Sequence, residues 1–324
     1  ENMRLSNGII WPLPIVLQVE DTVGKNLGKG EEISLLYKGE LYAILHLEEV
    51  YSLNKEEAAK KIFGTNERVH PGVKRFLEAG NYFLGGKITL LKKLHSEHKV
   101  YELTPKQTRK IFYELGWSKV IGFHTRNVIH KSHEFIQIEG MRRSLCDGLF
   151  IHPIIGKKKP GDFEAETIIR TYEKMIENFY PKSKVMMGTF ASYSRYGGPR
   201  EAIFTALVRK NFGCSHFIVG RDHTGVGSFY TPNASHEIFD VFPQEELGII
   251  PIKFNNVFYS DLENRHLHES DFIDYPEEHK VSISGTKVRE MFLHGIQPPD
   301  WFMRPEISQI ILEKIQKGEK VFVE

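Results

Sequence analysis

The chain has 324 residues, 40% of them hydrophobic and 26% charged, a composition that excludes a disordered or fibrous protein. Forty-three Lys and Arg stand against 42 Asp and Glu, a formal charge of +1, so no global field draws the molecule to a polyanion or an acidic membrane. Two cysteines, Cys146 and Cys214, make neither a CxxC pair nor a zinc spacing and read as thiols of a reducing compartment.

No run approaches the roughly 20 apolar residues of a membrane helix, and residues 1–14 lack the basic and apolar regions of a signal peptide. A cytoplasmic enzyme or binding protein is expected, with two domains as the prior for this length. From residue 5 to about 103 short apolar runs such as Ile33-Ser34-Leu35-Leu36-Tyr37 and Leu41-Tyr42-Ala43-Ile44-Leu45 are separated by Gly, Asn and Pro. That spacing predicts a small β-rich domain. One helix interrupts it at Lys55–Phe63, capped by Asn54.

At Thr104-Pro105 the pattern changes. Thr104 can cap a helix that opens on Pro105 and carries Ile111, Phe112 and Leu115 on one face. Strands are then expected at 119–123, 148–155, 184–188, 216–219 and 248–254, with helices at 129–147, 164–178 and 199–211. This alternation calls for a parallel sheet covered on both faces, with ligands at the carboxyl ends of its strands. A charged stretch after residue 260, a helix start at residues 283–289 and a last helix at 306–317 complete the chain. No GxxxxGK[ST] phosphate loop is present.

The first strand runs into His124-Thr125-Arg126-Asn127, then His130 and His133. A strand that ends on a helix N-terminus presents free N–H groups and a positive dipole end, which suit phosphate or sulfate. His130 and His133, three apart on one helical face, can grip the same anion or metal. The strand at 216–219 opens into Gly220-Arg221-Asp222-His223-Thr224-Gly225-Val226-Gly227, where glycines admit close approach and Arg221 offers a fork to phosphate oxygens, with Asp222 orienting it or His223. Ser284-Gly285-Thr286, with Arg289 one turn on, form the helix start whose hydroxyls and N–H groups can hold outer phosphates. The run Lys157-Lys158-Lys159-Pro160-Gly161-Asp162 reads as a solvated loop at a strand end.

Thr104 to Arg109, Thr125-Arg126-Asn127 with His130 and His133, Lys159 to Asp162, Gly198-Pro199-Arg200-Glu201-Ala202, Gly220 to His223 and Ile283 to Arg289 jointly resemble the sulfate adenylyltransferase, or ATP sulfurylase, family. The resemblance runs from about Met3 to Glu306. It implies an α/β protein with a β-rich PUA-like N-terminal domain (1–103), a Rossmann-like nucleotidyltransferase domain of the HxGH superfamily (104–260) and a small C-terminal domain (261–324) that completes the phosphate site. It implies that ATP and sulfate give adenosine 5′-phosphosulfate and pyrophosphate, with Mg²⁺ held by phosphates and water, no metal ligand from the protein, and an assembly that in this family is often homo-oligomeric.

By motif, the resemblance makes Thr125, Arg126 and Asn127 the loop around the reacting centre and His130 and His133 the groups that stabilise pyrophosphate. Gly220, Arg221, Asp222, His223, Gly225 and Gly227 hold the nucleotide, while Ser284, Gly285, Thr286 and Arg289 close over its phosphates. His124 and Thr224 stand where the family usually carries Gln and Ala, so with Arg126 they form an altered anion pocket. His124 is expected to donate while neutral or become a cation beside a bound dianion, so that affinity weakens as pH rises. Another oxyanion acceptor and a nucleotide-sensing pseudoenzyme are the alternative readings. RNA binding by residues 1–103 is disfavoured by their 14 Lys and Arg against 14 Asp and Glu, because phosphate-backbone affinity needs clustered positive charge.

Overall fold

The apolar runs of residues 32–52 form a hairpin. The computed structural model describes residues 2–272 and 274–324, and within it β2 (Glu32–Tyr37) pairs antiparallel with β3 (Glu40–Ser52) through the two-residue turn Lys38-Gly39. Both turn residues have positive φ, +51° and +79°, the conformation that matches strand twist and that Gly39 adopts without steric cost. With β1 (Leu17–Val19) and β4 (Tyr82–Leu90) they make an antiparallel sheet in the order β1-β4-β3-β2. Ala43, Leu45 and Leu47 alternate into its core, as a sheet with one covered face requires. Of the apolar runs at residues 9–11 and 15–17, only Leu17 enters a strand, the three-residue β1, while Ile10 makes an isolated antiparallel bridge to Arg4.

This first unit comprises residues 1–99 together with 195–204 and 224–231. It includes α1 (Asp21–Gly24), α2 (Lys55–Phe63) and α3 (Pro71–Glu78). The cap of α2 is Asn54, whose side chain accepts from Glu57 N at 3.2 Å. The unanticipated α3 is capped by buried His70: its Nδ1 accepts from Gly72 N at 3.1 Å and Val73 N at 3.2 Å, while its Nε2 lies 3.1 Å from Tyr230 Oη. Because Tyr230 Oη donates to Tyr196 O, His70 donates through Nε2, and its ring ties residues 196 and 230 to the start of α3.

The second unit comprises residues 100–194, 205–223 and 232–324. It opens with α4 (Pro105–Glu114), closed by a reciprocal capping box: Gln107 N donates to Thr104 Oγ1 at 3.3 Å, and Thr104 N to Gln107 Oε1 at 2.8 Å. Phe112 is buried as expected, but Leu115 follows the last helical residue and is 46% exposed. Five strands follow, β5 (Val120–Thr125), β6 (Gly148–Pro153), β7 (Val185–Met187), β8 (His216–Gly220) and β9 (Ile250–Phe254). All are parallel, in the order β7-β6-β5-β8-β9. The chain therefore starts in the centre, builds outward through β6 and β7, and returns to build the other side. That reversal puts a crevice outside the carboxyl ends of β5 and β8, the usual ligand position in open parallel sheets.

Between the strands lie α5 (Lys131–Ser144), α6 (Ala165–Asn178) and α7 (Gly198–Asn211), then the short α8 (Ala234–Glu237) and α9 (Gln244–Leu247). Of α7, residues 198–204 belong to the first unit and 205–211 to the second. Helix α5 packs on β5, β6, β8 and β9. It approaches closely because Gly140 lies over Ile121 and Ile218, where even a Cβ would stand 3.1 Å from each side chain. The expected helix at 129–147 is trimmed at both ends, since His130 is extended (φ −138°, ψ 167°) and Leu145 left-handed (φ +49°).

An antiparallel sheet not anticipated from sequence follows, β11-β10-β12, formed by β10 (Val257–Ser260), β11 (Arg265–His268) and β12 (Lys280–Val281). Then come α10 (Gly285–Leu293) and α11 (Pro305–Gln316), and α11 packs on α6. Glu134 of α5 accepts two bonds from Arg304, at 2.9 and 2.6 Å. The last residues clamp the 157–163 loop: Gly161 N and Glu164 N donate to Val323 O and Val321 O, both at 2.8 Å. That loop is thus not solvated throughout, and Asp162 is 4% exposed. Among the described residues, no helix is long and apolar enough to cross a membrane.

Candidate active site

Outside the carboxyl end of the sheet, a cavity of about 400 Å³ is lined by Asn127, His130, Ser132, Gly285 and Arg289. Each reaches it through a local device. At the end of β5 the hydroxyl of buried Thr125 accepts from Asn127 N at 3.1 Å, turning the chain so that Asn127 leaves the strand direction. Thr125 therefore shapes the loop. At the second helix start, Ser284 accepts from Lys287 N at 3.2 Å, so its oxygen lone pair serves its own helix. The cavity receives Gly285 and, one turn later, Arg289. The N-termini of α5 and α10, represented by Ser132 and Gly285, thus share one cavity, and two positive dipole ends suit a chain of phosphates.

His130 and His133 meet, but not as two positions of a helical face. His130 is the extended residue before α5 and His133 lies in its first turn; their rings stack with centroids 3.8 Å apart. Phe302 also stacks on His130, with centroids 5.0 Å apart, and Phe123 meets His133 edge-on at 5.3 Å. The Nδ1 atoms of both rings are buried without a hydrogen-bond partner. Burial holds His130 well below the usual imidazole range, helped by nearby His133 and His266, and burial alone takes His133 to about 4. Two neutral imidazoles side by side offer N–H donors to a polyanion, whereas protonating both would set like charges together.

A second cluster lies behind the end of β5. Arg209 of α7, 0% exposed, donates from Nη2 to His124 Nδ1 at 2.8 Å and to His152 O at 2.6 Å. His223, from the loop after β8, stacks obliquely near His124 with centroids 5.4 Å apart, and its Nε2 lies 3.2 Å from Thr205 Oγ1. Burial and then the Arg209 charge push His223 to about 3; the same two causes, with His223, Arg126 and His152 adding to them, hold His124 well below its ordinary value. The expectation that a bound dianion makes His124 a cation is corrected here. A guanidinium donating into Nδ1 requires a lone pair on that atom, so His124 is neutral and carries its proton on Nε2.

The charge of Arg126 bears on His124, Asp222 and His223 alike, which places it among them at the switch point. Arg221 and Asp222 are exposed. Burial raises the Asp222 carboxyl, and the Arg221 and Arg126 charges oppose that shift. The glycine loop does not line the 400 Å³ cavity, and Thr224, Gly225 and Gly227 belong to the first unit. There Thr224 holds a left-handed φ of +58°, unusual for a β-branched residue, and its hydroxyl donates to Gly198 O at 2.8 Å. Thr286 is exposed and accepts a long 3.4 Å contact from Arg289.

Sequence reasoning missed the aromatic wall of the cavity: Tyr259 on β10, His266 on β11, and Trp301, which stacks on Tyr259 with centroids 5.4 Å apart. No periodicity marks these residues. The one hint is a Trp beside Pro298-Pro299 in a loop.

The family model for ATP-sulfurylase matches residues 99–314, and that for a PUA-like domain matches residues 1–93. The chain belongs to the ATP-sulfurylase family. Among its relatives, the sulfate adenylyltransferase of Ignicoccus hospitalis is 42% identical over 312 residues, 96% of this chain and 80% of that protein. The sulfate adenylyltransferase of Synechococcus sp. (strain JA-3-3Ab) is 43% identical over 319 residues, covering 98% and 80%. Among solved structures, the hexameric APS kinase from Thiobacillus denitrificans superposes with a TM-score of 0.72 at 19% identity, covering 97% of this chain and 55% of that one; at that identity the likeness concerns the fold. ATP-sulfurylase membership makes the chain a nucleotidyltransferase with a PUA-like N-terminal domain.

Proposed function

We propose that the chain is a sulfate adenylyltransferase, transferring the adenylyl group of MgATP to sulfate and releasing pyrophosphate. The observation that carries this reading is the convergence of Asn127, His130, Arg289 and two helix N-termini on one cavity at the carboxyl end of the parallel sheet. The relatives of that name, 42% and 43% identical over nearly the whole chain, support it.

In this reaction a sulfate oxygen attacks the α-phosphorus in line, a new P–O bond forms, and the bond to pyrophosphate breaks with its electron pair leaving on pyrophosphate. Sulfate is already anionic, so no base need take a proton and no protein nucleophile is needed. The protein positions the reactants and stabilises charge. Arg126 meets the sulfate and the Asn127 amide the α-phosphate. The neutral His130 and His133 donate to the departing pyrophosphate, with Gly285 and Arg289 on the outer phosphates and residues 261–324 completing that part of the site. Gly220 and Arg221 hold the nucleotide, and the Tyr259–Trp301 wall offers a face for the base. Mg²⁺ arrives as part of the substrate, bound through phosphates and water. Dependence on ATP favours a cytoplasmic setting.

The test is ATP–pyrophosphate exchange across a panel of sulfate, selenate, phosphate and an organic sulfonate. Sulfate-dependent exchange is expected. Exchange supported only by another anion replaces sulfate as the acceptor, and nucleotide binding without exchange under any anion makes the chain a sensor.

A further inference from the structure

We infer that Arg209 is a positioning residue that fixes His124 as a one-way hydrogen-bond donor at the acceptor end of the site. The inference rests on the reading that His124 faces the oxyanion. It begins from a buried cation. Arg209 is fully buried, and its guanidinium donates to three acceptors on three elements: His124 Nδ1 at the end of β5 (2.8 Å), His152 O on β6 (2.6 Å) and Thr205 O one turn earlier on α7 (3.3 Å). A guanidinium offers only donors and stays protonated. Nδ1 of His124 must therefore accept, and the single ring proton stands on Nε2, the nitrogen directed away from Arg209.

The surroundings reinforce this choice. The groups that act on His124 are Arg209 from α7, His223 from the loop after β8, Arg126 from its own loop and His152 from β6. All are cations or groups that become cations, so a second proton on His124 is opposed from every side. Burial depresses its basicity further. A histidine in solution divides its proton between two nitrogens and takes up a second near pH 6.5. Here the same ring acts as a neutral amide would, with one donor, a fixed direction and no titration in the working range. The guanidinium also keeps a fixed positive charge behind the donor, and a fixed cation in a water-poor site stabilises a nearby anion without reorganising.

Two measurements test this. In the full-length chain with ¹⁵N-labelled histidine, long-range nitrogen–proton spectra should show His124 in the Nε2–H form, unchanged from pH 8 to pH 5. A wild-type His124 in the Nδ1–H form, or one that titrates near 6.5, overturns the inference without any variant having to fold and whatever the enzymatic activity proves to be. Sulfate-dependent exchange supplies the second measurement. Arg209→Met should lower kcat/KM for sulfate about ten- to hundredfold, as loss of an orienting partner does elsewhere, with KM for ATP within about twofold of the parent. In a His124→Gln background the same substitution should cost less than about threefold, because an amide needs no tautomer fixed. Equal losses in both backgrounds would show that Arg209 supports only the packing. A parent chain inactive with sulfate counts against the proposed reaction, and the spectra still decide the tautomer.

Discussion

Arg126 and the histidine pair carry the sharpest expectations about single residues. Arg126 influences three neighbouring titratable groups from the switch point, where the proposed reaction would gather negative charge in its transition state. Arg126→Ala should lower kcat/KM roughly 10²- to 10³-fold, the usual cost of one preorganised donor, and a loss of less than about threefold in the exchange assay would remove it from the acceptor site. His130→Ala and His133→Ala should lower kcat by roughly 10²-fold while ATP affinity, measured by calorimetry, changes little, because a contact to a leaving group strengthens as the bond breaks. A rise in the dissociation constant for ATP with kcat preserved would make them ground-state ligands. The sequence singled these residues out as candidates, since an Arg-Asn turn and two histidines after a strand suit an anion. Their geometry was not visible: the 3.8 Å ring stack forms because His130 is the extended residue before α5, a distinction that three-residue spacing cannot make.

The elements found from sequence are those with local chemistry at their ends. Asn54 ahead of Lys55–Phe63 and Thr104 ahead of Pro105 accept the expected backbone N–H bond, and Ser284, expected to turn its hydroxyl to phosphate, also caps its own helix. Thr104→Ala removes one side of a reciprocal box and should cost about 1 kcal/mol. Urea denaturation should show the loss with an unchanged m-value, and turnover of the folded enzyme should stay near that of the parent because Thr104 is not among the residues lining the cavity. By contrast, α3 and the sheet β10–β12 escaped notice. The cap of α3 is a histidine whose ring is held from a distance, by Tyr230, and β12 is two residues long, with Tyr259 paired to Val281 and Ser260 to Lys280 far along the chain. Neither carries a periodic pattern long enough to read.

For the whole molecule, several histidines are neutral in the folded state for one shared reason, burial, to which neighbouring cations or histidines add at all of them but His133. His133 and His266 fall to about 4, His223 to about 3, and His124, His130 and His152 lie well below 6.5. The unfolded chain binds protons at these positions near pH 6.5 while the folded chain refuses them until lower pH. The folded state is therefore favoured fully above the unfolded value and loses stability as pH falls from about 6.5 toward the folded values. The melting temperature should be flat between about pH 7 and 8 and fall steadily from pH 6.5 to 5, ahead of most carboxylate titration, with more than one proton taken up on unfolding at pH 6. A melting temperature unchanged down to pH 5 would mean these rings ionise freely in the folded protein.

By itself the sequence determined the class of the protein: short antiparallel strands, then alternating strands and helices, with runs of Arg, Asn, His and Gly placed just after β5 and β8. These properties are local. Alternation, caps, glycines and charges act over a few residues, and backbone sterics and hydrogen bonding make them readable in order along the chain. Tertiary structure alone decided which of those residues meet. It placed residues 195–204 and 224–231 with the first unit and walled the cavity with Tyr259, His266 and Trp301. It also put the buried guanidinium of Arg209 2.8 Å from a histidine 85 positions earlier. Such contacts depend on how packed surfaces close over one another, and a buried cation is tolerated only where distant acceptors converge on it, so nothing in the neighbouring sequence announces them.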